Sequence, residues 1–311
     1  MAEKLRAAVI GVGYLGRFHA QKYAALEEVE LVGVADASAE RATEVAAEIG
    51  TAAFTDYRPL LELVDLVSIV VPTQLHYPIA RDCLAAGLHV LVEKPITQTV
   101  AEADELIGLA AERRLVFQVG HLERFNPAVL ALQGVIRNPR FVESHRLAPF
   151  KPRGTDVNVV LDLMIHDIDI ILNIVGSPVA SVHSVGVPVL SDEVDIANAR
   201  LQFENGCVAN VTASRASREA MRKIRIFQDD AYISIDYQQR KIAILRKGGD
   251  GYPIPGLPQV TMEEKSFAQG DALLEEIRAF VAAVRHGTPP VVSGEDGKRA
   301  LELALEINRK L

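Results

Sequence analysis

The chain has 311 residues, of which 49% are hydrophobic and 24% charged, a balance typical of a soluble folded protein and of neither a disordered chain nor a fibrous repeat. Its 33 basic and 41 acidic residues leave a formal net charge of −8, so composition gives no general attraction to nucleic acid or to an anionic membrane. Two cysteines are too few for a disulfide framework or a cysteine metal cluster, and this scarcity is typical of a reducing compartment. The first apolar run ends at Gly11, and no stretch approaches the roughly 20 apolar residues of a membrane helix. We therefore expect a cytoplasmic protein that binds neither nucleic acid nor membrane.

The first 121 residues have the pattern of a doubly wound α/β domain. Short runs of β-branched and apolar residues alternate there with stretches of good helix formers. Strands that are apolar on both faces indicate a parallel sheet with helices on either side. The expected strands are residues 7–10, 31–34, 66–71, 89–92 and 116–119.

Residues 122–311 have a different pattern, which predicts an α+β domain with an open, mainly antiparallel sheet. A long apolar helix is expected over residues 159–175, and strand-like segments follow over residues 179–247. Glu204-Asn205-Gly206 lies between two alternating runs, and Asn-Gly in that position is a strong hairpin signal.

The last part of the chain predicts two helices. A loop rich in glycine and proline, residues 248–258, precedes a helix near residues 272–285. A second helix starts after Ser293, because Ser293 and Asp296 have the spacing of a capping box. We expect this helix, residues 294–311, to pack back on the first domain.

The segment Gly11-Val12-Gly13-Tyr14-Leu15-Gly16 directly follows the first predicted strand and opens a helix. In that position Gly11 permits a tight turn, Gly13 lets the backbone approach a pyrophosphate at the helix N-terminus, and Gly16 allows close helix packing. We expect Tyr14 and Leu15, which lie between these glycines, to contact the same ligand. A glycine turn without a ligand is the alternative.

Asp36 ends the second predicted strand, 25 residues after Gly11. A carboxylate at this point binds a ribose 2′-hydroxyl and repels a 2′-phosphate, and neither Ala37 nor Ser38 is an arginine that would bind one. The arrangement predicts a Rossmann domain that prefers NAD to NADP, although Arg41 lies one helical turn further on.

Two further segments end strands at the carboxyl edge of the predicted sheet, where ligands of open α/β sheets bind. Pro72, Thr73 and His76 follow one strand, and we expect them beside the cofactor; a helix cap and a surface histidine are the alternative. Glu93-Lys94-Pro95 ends the next strand, and the proline fixes the turn after the lysine. We expect Glu93 and Lys94 to contact the cofactor, with Lys94 directed toward the nicotinamide; a solvated surface lysine is the alternative.

The predicted helix over residues 159–175 carries a narrow polar stripe. Asp162, His166, Asp169 and Asn173 are spaced at i, i+4, i+7 and i+11, within an arc of about 60°, whereas Asp167 lies on another side. Such a stripe on an apolar helix either is satisfied internally or lines a cavity. An aspartate one turn before a histidine also suits acid–base chemistry, because the carboxylate orients and stabilises the imidazole.

Two groups of polar residues lie upstream of this helix. The first is a basic cluster that could neutralise a diphosphate, or could be solvated surface: Arg140, His145, Arg146, Lys151 and Arg153. The second lies where the domains are expected to join, so it predicts either a substrate cleft or hydrogen bonds between domains: His121, Glu123, Arg124 and Asn126.

In this order the features resemble those of the glucose–fructose oxidoreductase and inositol dehydrogenase (Gfo/Idh/MocA) family over essentially the whole chain. The matching segments are residues 11–16, Asp36, Glu93-Lys94-Pro95, Arg124-Phe125 with Pro127, residues 162–166 with Asp169, and Ser293-Gly294-Glu295-Asp296-Gly297. The resemblance implies NAD-dependent oxidation of a sugar or polyol hydroxyl and a homodimer or homotetramer formed through the open C-terminal sheet. It also implies a catalytic lysine at Lys94, faced by Asp162 and His166. We expect no metal site.

One departure from the family pattern is Met164, where many members have glycine between the aspartate and the histidine. The amino-acid sequence of residues 120–127 and 161–167 resembles that of the family branch that oxidises the 3-hydroxyl of UDP-N-acetylglucosamine. In that branch a partner aminotransferase then aminates the ketone on the way to a diamino sugar for lipid A. A diphosphate-bearing substrate of this kind agrees with the basic cluster.

The resemblance suggests a mechanism in which His166 removes the hydroxyl proton while hydride passes to NAD. Lys94 would stabilise the reacting oxygen and Asp162 would orient His166 and the sugar, although sequence does not decide whether His166 or Lys94 accepts the proton. A dehydrogenase for a free sugar or inositol is the alternative, and it would not require Arg146, Lys151 or Arg153 for binding. A third hypothesis is a non-catalytic NAD-binding regulator, but that hypothesis predicts the absence of Lys94 or His166, and both are present.

Overall fold

The computed structural model describes residues 3–150, 158–248, 259–268 and 270–311 of the chain. These residues form two compact units, Met1–Leu122 with Asp271–Leu301 (unit 1) and Glu123–Gly270 with Glu302–Leu311 (unit 2). Unit 1 therefore includes residues 271–301, which the expected boundary at residue 121 assigned to the second domain. Within the described ranges, no helix is long and apolar enough to cross a bilayer.

Unit 1 contains a six-stranded sheet in which all strand pairs are parallel, so the predicted doubly wound α/β class is confirmed. The strands are β1 Leu5–Ile10, β2 Val29–Ala35, β3 Ala52–Phe54, β4 Leu66–Ile69, β5 His89–Glu93 and β6 Phe117–Gly120. They lie in the order β3-β2-β1-β4-β5-β6. The order reverses between β1 and β4, which is the switch point at whose carboxyl edge such sheets bind ligands.

Unit 2 contains an eight-stranded sheet, and its predicted mainly antiparallel character is also confirmed. The strands are β7 Pro139–Leu147, β8 Val179–Val187, β9 Ile196–Phe203, β10 Val208–Ser214, β11 Met221–Gln228, β12 Ala231–Asp236, β13 Lys241–Lys247 and β14 Val260–Ser266. Their order is β14-β13-β12-β11-β7-β10-β9-β8, and only the pair β7 and β10 is parallel among the described strands.

Eight helices accompany the two sheets in the described ranges: α1 Tyr14–Ala24, α2 Ala39–Ile49, α3 His76–Ala85, α4 Val100–Arg113, α5 Pro127–Leu130, α6 Ile165–Val175, α7 Ala272–His286 and α8 Gly294–Arg309. Their ends follow from local chemistry. Thr99 and Glu102 form a full capping box at the start of α4, and Asp271 caps α7 by accepting a hydrogen bond from Leu274 N–H at 3.0 Å. Gly176 ends α6 with φ of 60°, a conformation that glycine adopts at low cost.

Local predictions in the C-terminal half are confirmed. β9 and β10 pair antiparallel through the turn at residues 204–206, where Gly206 has φ of 85°. Ser293 caps α8 by accepting from Asp296 N–H at 3.2 Å, while the Asp296 carboxylate accepts from Ser293 N–H at 2.9 Å. The glycine- and proline-rich loop predicted at residues 248–258 lies outside the described residues, apart from Gly248.

The core of unit 1 lies between its sheet and the pair of helices α1 and α7. Fully buried Val9, Tyr23, Leu66, Ile277 and Phe280 belong to one continuous apolar cluster. Burial of the apolar surface of this cluster is the main stabilising contribution to the unit. It also fixes the position of α1, whose N-terminus follows the glycine turn.

Candidate functional site

The glycine turn joins β1 to α1 in a conformation that depends on glycine. Gly11 has φ of 87°, and a Cβ there would lie 2.7 Å from the carbonyl carbon of Val70. A Cβ on Gly16 would lie 2.9 Å from the carbonyl carbon of Gly11, so α1 could not pack as it does. Gly13 is less crowded, because the nearest atom to an added Cβ is Arg41 Nη1 at 3.6 Å, an ordinary van der Waals distance. A tight turn with a less crowded middle glycine, at a helix N-terminus, fits the pyrophosphate of a dinucleotide.

Asp36 lies directly after β2, at the same edge of the sheet. One of its carboxylate oxygens accepts from Val12 N–H at 3.0 Å and the other from Ser38 N–H at 2.9 Å. These bonds hold the carboxylate against the glycine turn, where it can also accept from a ribose hydroxyl. Arg41 Nε is 3.8 Å from Asp36 Oδ1, so its guanidinium lies beside this carboxylate.

His76 connects two of the segments that follow strands. Its Nδ1 is 2.8 Å from the carbonyl oxygen of Pro95, and its Nε2 is 2.9 Å from the carbonyl oxygen of Val71. Burial lowers the pKa of His76, and the two carbonyl contacts act in the opposite direction. Thr73 begins a short 3₁₀ turn after Pro72, just before α3. The structure therefore ties the Pro72 turn to the Lys94–Pro95 turn through one buried imidazole.

Glu93 ends β5 at the carboxyl edge of the sheet, Lys94 follows it, and the Lys94–Pro95 peptide is cis. Glu93 Oε1 lies 3.1 Å from His19 Nε2 of α1. Its carboxylate also lies against β6, since a Cβ on Gly120 would be 3.0 Å from it. Lys94 is half-buried, and it follows a residue whose side chain is held on two sides. His121, the next residue after β6, is buried.

In unit 2, Asp162 and His166 lie where a π-helical turn, Val160–Met164, precedes α6. The prediction assumed 100° per residue over the whole segment, but a π turn advances less per residue, so the i, i+4 relation of these two residues differs from that of an ideal α-helix. Both side chains are half-buried. The other two residues of the predicted polar stripe differ in burial, since Asp169 is buried and Asn173 is exposed.

Two buried ion pairs anchor α6. Arg124 donates to both carboxylate oxygens of Asp169, at 2.7 and 2.9 Å. Arg146 of β7 donates in the same way to Asp167, at 2.8 and 3.0 Å, and to Glu123 at 3.0 Å. Although burial opposes the charge, the neighbouring Asp167 and Glu123 carboxylates raise the pKa of Arg146 above its ordinary value.

Several expected ligand-binding residues therefore have internal partners. Arg146, Glu123 and Arg124 belong to these ion pairs, and the side chain of Arg146 is only 4% exposed. Its guanidinium is committed to an internal network rather than offered to a diphosphate. Asn126 caps α5 by accepting from Ala128 N–H at 3.0 Å.

The other members of the basic cluster lie apart from this network. Arg140 is exposed and is 4.0 Å from Asp229, and His145 is half-buried on β7. Lys151 and Arg153 lie outside the described residues. No role is predicted from the sequence for Asp167, which it places off the polar stripe. None is predicted for Tyr237 either, which is buried with its ring centroid 5.9 Å from the Arg146 guanidinium carbon. The one signal for Asp167 was a charge on an otherwise apolar helix.

The glycine turn between a buried strand and a helix, with an acid at the end of the second strand, defines a dinucleotide-binding domain of Rossmann type. Residues 5–121 match the family model described as "Oxidoreductase family, NAD-binding Rossmann fold", and residues 128–234 match the GFO/IDH/MocA C-terminal domain. The chain belongs to the Gfo/Idh/MocA oxidoreductase family, so the predicted family and the NAD cofactor are confirmed.

Individual relatives extend this result along the chain. A UDP-N-acetylglucosamine 3-dehydrogenase of Acidithiobacillus ferrooxidans is 46% identical over 97% of this chain and 96% of its own. A solved structure with that name from the same organism has a TM-score of 0.94 at 44% identity, covering 100% of this chain and 98% of the other. The myo-inositol 2-dehydrogenase of Thermotoga maritima is 27% identical over 99% of this chain and 96% of its own.

Proposed function

We propose that this protein oxidises the 3-hydroxyl of UDP-N-acetylglucosamine to a ketone and reduces NAD⁺ in the same step. The observation that carries the proposal is the 46% identity to a dehydrogenase named for that reaction, spread over 97% of the chain. The fold adds support over the full length, with a TM-score of 0.94 to a structure of that name. Similarity confined to the cofactor domain would not favour one sugar, whereas similarity across unit 2 does.

Three side chains are proposed to act on the reacting hydroxyl. Bound NAD⁺ supplies the acceptor for the hydride that leaves the hydroxyl-bearing carbon. His166 removes the hydroxyl proton, since imidazole titrates near neutral pH. Lys94 donates a hydrogen bond to the reacting oxygen and stabilises its negative charge, and Asp162 orients His166 and the sugar. A hydride and a proton leave together, so the products are the ketone, NADH and H⁺.

The diphosphate of the substrate requires cations that are not already paired. Arg146 does not meet this requirement, because its guanidinium donates to the buried carboxylate of Asp167 and the half-buried carboxylate of Glu123. From the basic cluster predicted by the sequence, Lys151 and Arg153, which lie outside the described residues, are proposed to contact the diphosphate. His121, the buried residue directly after β6, is proposed to contact the sugar.

A free sugar or inositol as substrate is the second candidate, favoured by the relatedness to myo-inositol 2-dehydrogenase at 27% identity. The two candidates differ in what they need from the protein. Inositol carries no phosphate, so replacing Lys151 and Arg153 would leave its KM unchanged, whereas the KM for a UDP-sugar would rise. A non-catalytic regulator is disfavoured because Lys94 and His166 are both present.

A second copy of the chain is proposed as the partner of the unit 2 sheet, giving a homodimer or homotetramer. On the face opposite α6, Phe227 and Leu245 are each 37% exposed and Met262 is 66% exposed. Phe227 also stacks with Phe141 and Tyr232, at 5.7 and 5.1 Å between ring centroids. An aromatic patch on an open sheet is typical of an association surface. Replacing Phe227 by lysine is expected to shift the mass measured by light scattering toward the monomer, and an unchanged mass would refute this assignment.

We also propose that the protein acts in the cytoplasm and supplies an aminotransferase with its substrate. Cys83 and Cys207 are both buried free thiols, which fits a reducing cytoplasm. A ketone at the sugar 3-position is the substrate that an aminotransferase requires, so a sugar aminotransferase is the proposed consumer of the product, in a route to a diamino sugar for lipid A.

The test of the proposed function is NADH formation from NAD⁺ with UDP-N-acetylglucosamine, UDP-glucose, glucose and myo-inositol, each with a carbonyl trap. The trap is needed because oxidation of an alcohol by NAD⁺ is usually uphill. Turnover confined to UDP-N-acetylglucosamine would support the proposal, and turnover with a free sugar or inositol would replace it by the second candidate. No turnover with any of them, in a protein that binds NAD, would refute both.

A further inference from the structure

Three titratable side chains meet inside unit 1, behind the turn that carries Lys94. They are His19 of α1, Glu93 at the end of β5 and Glu276 of α7. One nitrogen or oxygen atom from each lies within 4.8 Å of the others. The side chain of His19 is 0% exposed and that of Glu93 is 13% exposed, and Glu276 is completely buried. The proposed reaction uses neither His19 nor Glu276.

Glu276 lies where a carboxylate has little to stabilise it. In the part of the chain that the structure describes, no N–H or O–H group donates a hydrogen bond to either of its carboxylate oxygens. The next residue, Ile277, and Phe280 one turn on belong to the apolar core. Gln118 of β6 donates from Nε2 to the main-chain carbonyl of Glu276 at 3.3 Å, which fixes α7 at this residue. An ionised carboxylate in such surroundings is costly, whereas a neutral carboxylic acid is tolerated.

Charge balance leads to the same conclusion. Two carboxylates within 4.8 Å of one another in a buried place do not both ionise unless cations balance them. The one basic group of the cluster, His19, has its Nε2 3.1 Å from Glu93 Oε1 and so already faces that carboxylate. Burial, with the negative charge of Glu93 as a second cause, raises the pKa of Glu276 well above its ordinary value.

We propose that Glu276 is a neutral carboxylic acid that shares its proton with Glu93, and that His19, Glu93 and Glu276 together form a proton-sharing triad that positions Lys94. Glu93 accepts from His19 on one side and from the Glu276 O–H on the other, which leaves its side chain one orientation against Gly120. Because Glu93 directly precedes Lys94, this fixes the start of the lysine turn. Glu276 is thus a positioning residue, and only this link to Lys94 rests on the proposed function.

Among the described residues, other polar and titratable groups close to the triad include Tyr23 on α1, His76 on α3, Lys94, which follows Glu93 in the chain, and the uncharged Gln118 on β6. Burial raises the pKa of Tyr23 and lowers the pKa of His76. Tyr23 therefore stays neutral to higher pH than usual, and His76 stays neutral to lower pH than usual. Neither group would produce the loss of stability with rising pH that is expected of Glu276.

The test compares the thermal stability of the wild type, Glu276→Gln and the control Glu275→Gln between about pH 6 and pH 9. A group whose folded pKa lies above its unfolded value keeps its contribution to stability at low pH and loses it as pH rises. The wild-type Tm is therefore expected to fall more steeply with pH than that of Glu276→Gln, which keeps a donor for Glu93 but does not titrate. Glu275, 51% exposed on the same helix, is expected to leave the slope unchanged when replaced. Equal slopes for all three proteins would overturn the proposal.

A second comparison tests the positioning role. Glu276→Gln is expected to keep kcat within about twofold of the wild type, and Glu276→Leu, which has no donor, to lower kcat at least about tenfold and shift its pH profile, with KM for NAD little changed. A Glu276→Gln variant as impaired as Glu276→Leu would overturn the proposal, because it would mean that an ionised carboxylate is required. If Glu276→Leu does not fold, the slopes of Tm against pH still decide the question, and they decide it even if no sugar is turned over.

A divalent cation is the rival occupant of the same three side chains. Adding Zn²⁺ or Mn²⁺ to metal-free protein is expected to leave the Tm of the wild type and of Glu276→Gln equally unchanged. A rise in the Tm of the wild type alone would overturn the shared proton in favour of a metal site.

Discussion

Replacing Gly13 by alanine tests the dinucleotide site with little disturbance to the fold. Gly13 has φ of −64°, a value that alanine also adopts. The nearest atom to the new Cβ is Arg41 Nη1 at 3.6 Å, an ordinary van der Waals distance. We therefore expect the free energy of unfolding without cofactor to stay within about 0.5 kcal/mol of the wild type.

Cofactor binding is expected to respond very differently. The methyl group would occupy the space through which the backbone N–H groups at the start of α1 reach a pyrophosphate. A hydrogen bond to a charged group contributes about 1.5–3 kcal/mol. Loss of one such bond would weaken the Kd for NADH roughly 10- to 150-fold.

The assay is the Kd for NADH by fluorescence titration, together with urea unfolding of the same proteins without cofactor. Gly108 of α4 provides a matched control, since nothing lies within 4 Å of a Cβ added there. Gly108→Ala is expected to stabilise the protein by about 0.5–1 kcal/mol and to leave the Kd unchanged. Gly16→Ala is expected to lose about 1–3 kcal/mol of stability, because its Cβ would lie 2.9 Å from the Gly11 carbonyl carbon. A wild-type Kd in Gly13→Ala would refute the reasoning.

Three further predictions concern catalysis, buried charge and pH. Lys94→Met and His166→Ala should each lower turnover by about 10² or more while the Kd for NAD is kept, and near-normal turnover would remove that residue from the mechanism. Arg146→Met should lower the free energy of unfolding by about 3–5 kcal/mol, because it leaves the buried carboxylate of Asp167 and the half-buried carboxylate of Glu123 uncompensated. Arg140 is exposed, so Arg140→Met should cost under about 0.5 kcal/mol, and similar losses in the two variants would contradict the network. Burial lowers the pKa of His89, whose Nδ1 accepts a hydrogen bond from a main-chain N–H at 2.8 Å. As pH decreases, His89 is therefore protonated in the unfolded state before the folded state, and Tm should fall below about pH 6.5. An equally steep fall of Tm in His89→Asn would show that other groups cause it.

The fold follows from local patterns that lie close together in sequence. The glycine turn, the acid at Asp36 and the Asn205-Gly206 hairpin each act through neighbouring backbone, so their conformation can be predicted from composition and spacing. The capping box at Ser293 is predictable for the same reason. The strands of unit 1 are apolar on both faces, and this alone indicates helices on both sides of the sheet.

The features that could not be predicted depend on contacts between distant segments. In the sequence, Arg146 belongs to a basic cluster of the kind found on surfaces. Only the packing of α6 against β7 shows that its guanidinium donates to two carboxylates. Glu276 occupies an apolar position of an amphipathic helix, so its meeting with Glu93 depends on how α7 packs against the sheet. The π-helical turn before α6 changes the angular spacing of Asp162 and His166, and no residue type in Val160–Met164 predicts it.

The most direct test of the central claim is hydride transfer from a specifically labelled substrate. UDP-N-acetylglucosamine carrying deuterium at carbon 3 is incubated with the protein, NAD⁺ and a carbonyl trap, and the NADH formed is analysed by mass spectrometry. The account predicts one deuterium in each NADH, with unlabelled NADH from substrate labelled at carbon 4. NADH without deuterium from the 3-labelled sugar, or no NADH at all, would contradict it.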